Sequence, residues 1–296
     1  MKHLLAIEGL DRPFVERLLD RAREFREGRV RERPLAGQVV ANLFFEPSTR
    51  TRTSFELAAA FLGAHVLNWT VAGSSASKGE SLLDTVRNLA AMGPRVLVLR
   101  HGGSGAAALA AAAQKTCSVV NAGDGQHEHP SQALLDAFTL RERWGSLDGR
   151  KVTIVGDVLH SRVARSNVHC LRLLGAKVQL CGPATLVPDE LAALGVPLLR
   201  DLDRALDGAD AVMLLRLQRE RMAEALFPTE AEYHARWGLT AGRAAQLPRH
   251  ALVLHPGPVN RGLEIAPEVA DGSASVILEQ VENGVAVRKA ILEWLQ

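Results

Sequence analysis

The chain has 296 residues, 47% of them apolar and 23% charged, with a formal net charge of +2 at pH 7. That balance suits a folded protein with room for two domains at roughly 150 residues each, and a charge so near zero does not by itself point to nucleic acid. No run of 18 or more apolar residues occurs, which excludes a membrane-spanning helix, and the charged Glu8 and Asp11 close to Met1 argue against a signal peptide. Three cysteines, Cys117, Cys170 and Cys181, lie far apart with no C-x-x-C pair. They fit a reducing compartment with no disulfide framework, so the expected location is cytoplasmic.

In chain order, Asp11 reads as an N-cap ahead of Pro13, and Phe14, Leu18, Leu19, Ala22 and Phe25 then recur at helical spacing. The apolar run Val39 to Phe45 reads as a buried strand stopped by Pro47, and a helix follows from near Ser48 to Gly63. Alternation continues with a strand at Val66–Trp69, a helix at Glu80–Met92, a strand at Val96–Arg100, an alanine-rich helix at Ala106–Lys115 and a strand at Val119–Ala122. A helix starts at Pro130 and runs to about Trp144. After the loop Gly145–Gly149 come a strand at Lys151–Val155, a helix at Val163–Leu174 with Gly175 as its stop, and a strand at Val178–Cys181. Two more strands, Ala211–Leu215 and Leu252–Leu254, precede a closing helix at Val276–Leu295.

Strands alternating with helices of this length imply an α/β fold of two domains, each a mainly parallel sheet flanked by helices. The expected division is 1–132 and 133–275, with the closing helix, 276–296, packing back on the first domain.

The most informative run is Phe45-Glu46-Pro47-Ser48-Thr49-Arg50-Thr51-Arg52-Thr53, between a strand and a helix. The first amides of a helix lack intrahelical partners and its dipole is positive there, so hydroxyls and guanidinium groups at that point suit a phosphate. The plainer reading is an ordinary helix start capped by Ser48 or Thr49. A P-loop pattern is missing, and Val155 is followed by Gly156-Asp157-Val158 rather than a dinucleotide-binding fingerprint.

Ser74 to Ser81, with Lys78 inside it, reads on composition as a surface loop. His127-x-His129 suggests zinc only superficially, because no second ligand pair has metal-site spacing; no metal and no cofactor are expected. His129, just before the Pro130 helix start, reads instead as a rigidly held hydrogen-bond donor. Arg162 and Arg216 lie at or just after strand ends in the second half, where open α/β sheets bind ligands, with Gln218 beside Arg216. Taken singly, each arginine reads as a surface residue. His255-Pro256-Gly257-Pro258 reads as a rigid turn after a strand.

Ser48-Thr49-Arg50-Thr51-Arg52-Thr53 resembles the carbamoyl-phosphate signature of the aspartate/ornithine carbamoyltransferase family. The similarity extends through Ser74…Lys78-Gly79-Glu80, Arg100-His101, His129-Pro130-Ser131-Gln132, Gly156-Asp157…Arg162, Arg216-Leu217-Gln218 and Leu254-His255-Pro256, in the family's order from about residue 40 to 260. The lysine loop and the Arg-x-Gln pair resemble the aspartate-using branch. Ornithine enzymes usually carry His-Cys-Leu-Pro where this chain has His255-Pro256-Gly257-Pro258.

The resemblance implies a first domain that binds carbamoyl phosphate and a second that binds aspartate, with transfer of the carbamoyl group to the aspartate amine in pyrimidine biosynthesis. Ser48, Thr49, Arg50 and Thr51 would hold the phosphate, and Arg100 would bridge phosphate and carbonyl. Thr51, Arg100 and His129 would polarise the carbonyl oxygen. Gln132 would hold the carbamoyl amide, with backbone help from Pro256 and Gly257. Ser74 and Lys78 would enter from a neighbouring subunit of a homotrimer, and Lys78, Arg162, Arg216 and Gln218 would grip the carboxylates of aspartate. Domain closure would bring the substrates together. Members of this family carry regulatory subunits or associate with a dihydroorotase, and no surface segment here decides between these. Gly257 departs from members with leucine at this point, so only a backbone role carries over, and whether Arg261 replaces a missing charge is left open. Competing readings are ornithine or putrescine as acceptor, a non-catalytic assembly subunit, and a phosphate sensor. No nucleic-acid or membrane partner is expected.

Overall fold

The structure is a computed structural model and describes residues 1–70, 79–218 and 229–296. The chain divides into two compact units, residues 1–138 with 281–296, and residues 139–280.

In unit 1 the Asp11 carboxylate accepts from Phe14 N at 2.7 Å and caps α1 (Arg12–Arg26), whose Val15, Leu18, Leu19, Ala22 and Phe25 are buried. β1 (Val39–Phe44) is buried at all but its first residue. This is why it shows an apolar run rather than alternation: a parallel strand covered on both faces has no polar side. After β1 come α2 (Thr49–Phe61), β2 (His65–Thr70), α3 (Leu82–Ala91), β3 (Val96–His101), α4 (Ala106–Ala112) and β4 (Ser118–Asp124). The four strands form a parallel sheet in the order β2-β1-β3-β4. Leu43, Leu97, Leu99 and Val119 share a core with Val86 and Leu89 of α3 and with Ala106, Ala107 and Ala110 of α4. The alanine-rich run is thus a helix with its small face packed inward. The closing residues belong to this unit too: Glu293 takes both Nε and Nη2 of Arg21 at 2.6 Å, and Ser118 Oγ donates to Leu295 O.

The chain leaves unit 1 within α5 (Pro130–Trp144). Unit 2 then runs β5 (Lys151–Val155), α6 (Arg162–Leu173), β6 (Lys177–Cys181), a 3-10 turn at Asp189–Leu194, β7 (Leu198–Leu199), α7 (Leu202–Leu206), β8 (Ala211–Leu214), α8 (Glu230–Trp237), α9 (Ala241–Ala244), β9 (Leu252–Leu254) and α10 (Pro267–Ala270). Its parallel sheet has the order β7-β6-β5-β8-β9. The core gathers Val155, Cys181, Val212, Leu214 and Val253 around Leu202, Ala205 and Leu239. The chain returns to unit 1 within α11 (Ile277–Trp294).

The two-residue β7 and the short α7 to α10 go beyond what periodicity announced. They are too brief to show a repeat, and three of the helices start on side-chain caps instead: Asp201 accepts from Arg204 N, Thr229 from Glu232 N and Thr240 from Arg243 N. Among the described residues no helix is long and apolar enough to cross a membrane. All three cysteines are free and buried, and burial pushes the Cys117 thiol up to about 11 and that of Cys181 up to about 12.

Candidate active site

Both sheets begin in the middle and build outward in two directions. In unit 1 the strand order reverses between β1 and β3, and in unit 2 between β5 and β8. Loops leaving the carboxyl ends of the strands diverge at such a point and leave a crevice where open α/β sheets take ligands.

In unit 1, α2 starts directly after β1. Its first intrahelical bond is Arg52 N to Ser48 O at 3.2 Å, so the amides of Thr49, Arg50 and Thr51 precede the ladder. Ser48 holds the N-cap position but makes no side-chain cap bond. The plain reading of this run as a capped helix start lacks its hydrogen bond. Asp11, Ser81, Ser161, Asp201, Thr229 and Thr240 all accept from an amide at their own helix starts. An uncapped positive helix end, carrying exposed Thr49 and Arg50, is equipped for an anion. Thr51 lies on the buried side at 6% exposure.

Arg100, near the end of β3, borders the same switch point. Its Nη1 donates to Ala122 O at 3.1 Å, and its Nε lies 3.7 Å from Glu46 Oε2. These contacts hold a guanidinium at the strand end instead of letting it swing in solvent. β4 leads through a short turn to His129. In that turn Asp124 accepts from Glu128 N, contacts His127 Nδ1 at 3.1 Å and takes Gly105 N, while Glu128 accepts the amides of Ile7 and Glu8. His127 is thus a turn residue. His129 is buried at 3% exposure, and its carbonyl accepts Gln132 N in the first turn of α5. Gln132 is buried on that turn. Unit 1 thereby carries Ser48, Thr49, Arg50, Thr51, Arg100, His129 and Gln132. Ser74 and Lys78 lie outside the described residues.

In unit 2, Arg162 opens α6 behind the Ser161 cap and is buried at 4% exposure. Arg216 and Gln218 follow β8, the neighbouring strand. Two residues without an assigned role in the sequence connect these loops. Asp157 is fully buried; its Oδ1 lies 2.8 Å from His160 Nδ1 and accepts His160 N, and its Oδ2 takes Gln218 N at 3.5 Å. His160 O in turn accepts Gln218 Nε2 at 3.3 Å. Gly156-Asp157 after a strand was the available signal, but a buried carboxylate reveals its partners only in three dimensions.

Gly156 has φ +120°, and a Cβ there would meet Tyr233 Oη at 3.0 Å and Leu215 O at 3.2 Å. Burial raises the Tyr233 phenol above its ordinary range, with the charges of Glu264 and Asp157 adding to the effect. Gly156→Ala is expected to destabilise the fold by about 2 kcal/mol through backbone strain and this close approach. The denaturant midpoint checks it, and an unchanged midpoint would contradict the packing.

His255-Pro256-Gly257-Pro258 leaves β9. Gly257 N donates to His255 Nδ1 at 2.8 Å, so Nε2 carries the ring proton toward Glu264 Oε1 at 3.2 Å. Glu264 also accepts Asn260 N, and Gln280 Oε1 accepts His255 N. A fully buried histidine thus clamps the turn and presents the Pro256–Gly257 backbone. Gly257 has φ +66°, a left-handed conformation in which leucine would be strained. Arg261 forms a two-pronged pair with Asp271 at 2.6 and 2.7 Å, which raises the arginine and lowers the carboxyl. Its charge is therefore committed to that partner. Among the described residues no group of three or more histidine, cysteine or carboxylate side chains is placed to hold a metal ion.

Comparison with known proteins adds a second line of support. Residues 2–142 match the family described as aspartate/ornithine carbamoyltransferase, carbamoyl-P binding domain, and residues 148–295 match its Asp/Orn binding domain. The aspartate carbamoyltransferase catalytic subunit of Myxococcus xanthus is 63% identical over 294 residues, covering 99% of each chain. The aspartate transcarbamoylase of Trypanosoma cruzi, solved with carbamoyl phosphate and aspartate, superposes with a TM-score of 0.87 at 30% identity, over 99% of this chain and 96% of that one. The ornithine carbamoyltransferase of Thermus thermophilus superposes with a TM-score of 0.88 at 29% identity, over 100% of this chain and 99% of its own. The backbone is therefore common to both branches, and sequence identity runs higher to an aspartate enzyme. The chain belongs to the aspartate/ornithine carbamoyltransferase family.

Proposed function

We propose that the chain transfers the carbamoyl group of carbamoyl phosphate to the amino group of L-aspartate, giving N-carbamoyl-L-aspartate and phosphate for de novo pyrimidine biosynthesis. The observation that carries this is the uncapped start of α2, with Ser48, Thr49, Arg50 and Thr51 at one side of the β1/β3 switch point and Arg100 at the other. Residues 1–138 with 281–296 take the carbamoyl phosphate, and residues 139–280 take the aspartate.

The chemistry follows from the residue types. The neutral amine attacks the carbamoyl carbon, a C–N bond forms, and negative charge grows on the carbonyl oxygen. Thr51, Arg100 and His129 donate to that oxygen, and fixed donors of this kind are usually the largest catalytic contribution. The bond between the carbamoyl carbon and the bridging oxygen then breaks, that oxygen leaves with phosphate to the donors at Ser48, Thr49, Arg50, Thr51 and Arg100, and a phosphate oxygen accepts the amine proton. Gln132 and the Pro256–Gly257 backbone hold the carbamoyl amide. Arg162, Arg216 and Gln218 hold the two carboxylates of aspartate, a task suited to planar guanidinium forks. No nucleophilic side chain, metal or cofactor is required.

Ser74 and Lys78 are assigned to the site of a neighbouring subunit in a homotrimer, Lys78 assisting with aspartate. Exposed Leu57 and Phe61 on α2 and Leu67 on the edge strand β2, at 54%, 44% and 44% exposure, support a partner surface on that side of unit 1. Regulatory or dihydroorotase subunits are further candidate partners. Buried free thiols suit a reducing compartment, and we assign the enzyme to the cytoplasm.

The purified chain, given carbamoyl phosphate with aspartate, ornithine or putrescine in turn, is expected to form carbamoylated product from aspartate alone, unaffected by a chelator. Product from ornithine alone would overturn the roles of Arg162, Arg216 and Gln218. No product from any acceptor would point to a non-catalytic subunit.

A further inference from the structure

Gln132 and Asp136 lie one turn apart on α5, and Gln132 Nε2 donates to Asp136 Oδ1 at 2.9 Å. Asp136 is fully buried. A carboxylate accepts and an amide has two unlike ends, so this contact fixes which end of Gln132 faces where. The nitrogen is committed to Asp136, and the oxygen Oε1 is the end turned away. A carbamoyl group presents an NH2, which only donates. It can be met by Oε1 and not by Nε2.

A buried carboxylate is costly without a nearby positive charge. One cation that senses this charge is Arg288 of α11, 3% exposed, whose guanidinium lies 5.0 Å from the centre of the Phe55 ring. Burial pushes Arg288 down to about 10, with Asp136 opposing the fall, so it remains cationic at neutral pH. Its guanidinium lies over Gly284 of α11, where a Cβ would come within 2.5 Å of Arg288 Nη1 and 3.2 Å of Leu135 Cδ2. Phe55 belongs to α2, the helix that starts at Ser48.

We propose that Asp136 is a positioning residue for the carbamoyl group: it turns the Gln132 amide so that its oxygen meets the carbamoyl NH2, with Arg288, seated by Gly284 and Phe55, as the counter-charge. The arrangement rests on the proposed role of Gln132 and makes it a selector of carbamoyl phosphate against acyl phosphates that carry a methyl in place of the NH2. In Asp136→Asn the partner donates as readily as it accepts, the Gln132 amide is no longer held to one orientation, and the selection weakens.

The test is the affinity of the intact protein for carbamoyl phosphate, acetyl phosphate and inorganic phosphate, by calorimetry, for wild type, Gln132→Ala and Asp136→Asn. Wild type is expected to favour carbamoyl over acetyl phosphate about tenfold, the worth of one good hydrogen bond. Gln132→Ala is expected to bring that ratio near one and Asp136→Asn to lower it, while inorganic phosphate binds as before in both. A wild-type ratio in Asp136→Asn together with its loss in Gln132→Ala would overturn the positioning role and leave Gln132 as the reader of the amide. A wild-type ratio in Gln132→Ala, or no preference in the wild type, would overturn the role of Gln132 itself. Equal weakening for all three ligands would mean a merely structural contribution and overturn the proposal. Should Asp136→Asn not fold, Arg288→Gln, which removes the counter-charge and keeps much of the side chain, is expected to lower the ratio partway, and an unchanged ratio would overturn the arrangement.

Discussion

Arg100→Ala is expected to lower kcat for carbamoyl transfer by about 10³-fold, the upper range for removal of one fixed donor from a developing oxyanion. Arg100 is placed for a large effect because it is anchored before any ligand arrives, through Ala122 O and beside Glu46. A donor already in position pays no reorganisation when charge appears. The proposed double duty, to the carbonyl oxygen and to the departing phosphate, makes its loss felt at attack and at departure. Arg100→Lys is expected to recover only part of the rate, because an ammonium keeps the charge and loses the fork. The structural cost of removing the Ala122 contact is about 1 kcal/mol, too small to unfold the chain. Steady-state kinetics beside a denaturation curve separates the two effects. A variant within threefold of wild-type kcat would remove Arg100 from the catalytic set.

Arg216→Ala is expected to raise the KM for aspartate by about 10²-fold or more and to leave carbamoyl phosphate affinity unchanged. A hydrogen bond to a charged group contributes about 1.5–3 kcal/mol, so losing a two-pronged grip on one carboxylate exceeds two decades at about 1.4 kcal/mol per decade. Gln218, which survives in the variant, is held independently through Asp157 and His160 O, so the neighbouring loop is expected to keep its form. The measurement is KM for each substrate at saturation of the other. An unchanged aspartate KM would move the carboxylate site elsewhere, and an equal loss for both substrates would mean that Arg216 supports the fold rather than the ligand.

What the sequence disclosed follows a physical division. Val39 to Phe44, Lys151 to Val155 and Ala211 to Leu214 were legible because fully buried parallel strands are apolar runs, and α2, α5, α6 and α11 because long helices show their period or their caps. The candidate phosphate residues were legible because four of them, Ser48 to Thr51, sit side by side in the chain. Asp157, His160, Glu264 and Asp136 were given no role, since each acts through residues it meets only when strands or helix turns are in place. Gly257 stood out as a missing side chain, yet its reason, a left-handed backbone, is a property of the folded turn. Arg261 could not be resolved from position alone, because its partner Asp271 is ten residues on and nothing in the intervening sequence marks the pair.

Unit 1 is discontinuous in the chain, and that bears on the order in which the protein is completed during synthesis. Residues 281–296 are translated only after the whole of unit 2, yet they supply Glu293 to Arg21, Leu295 O to Ser118 and the Trp294 carbonyl to Lys2, across as many as 292 positions. Domains on a ribosome ordinarily finish from the N-terminus onward. Here the second unit, one continuous stretch, has all its parts first, and the first must hold an open seam until α11 arrives. The long-range contacts that close it also make it the slower unit to settle, because distant segments lose more freedom on meeting than near ones. The newly made chain therefore passes through a stage with unit 2 complete and unit 1 unfinished, and the face of unit 1 that awaits α11 is the surface most exposed to the wrong partner.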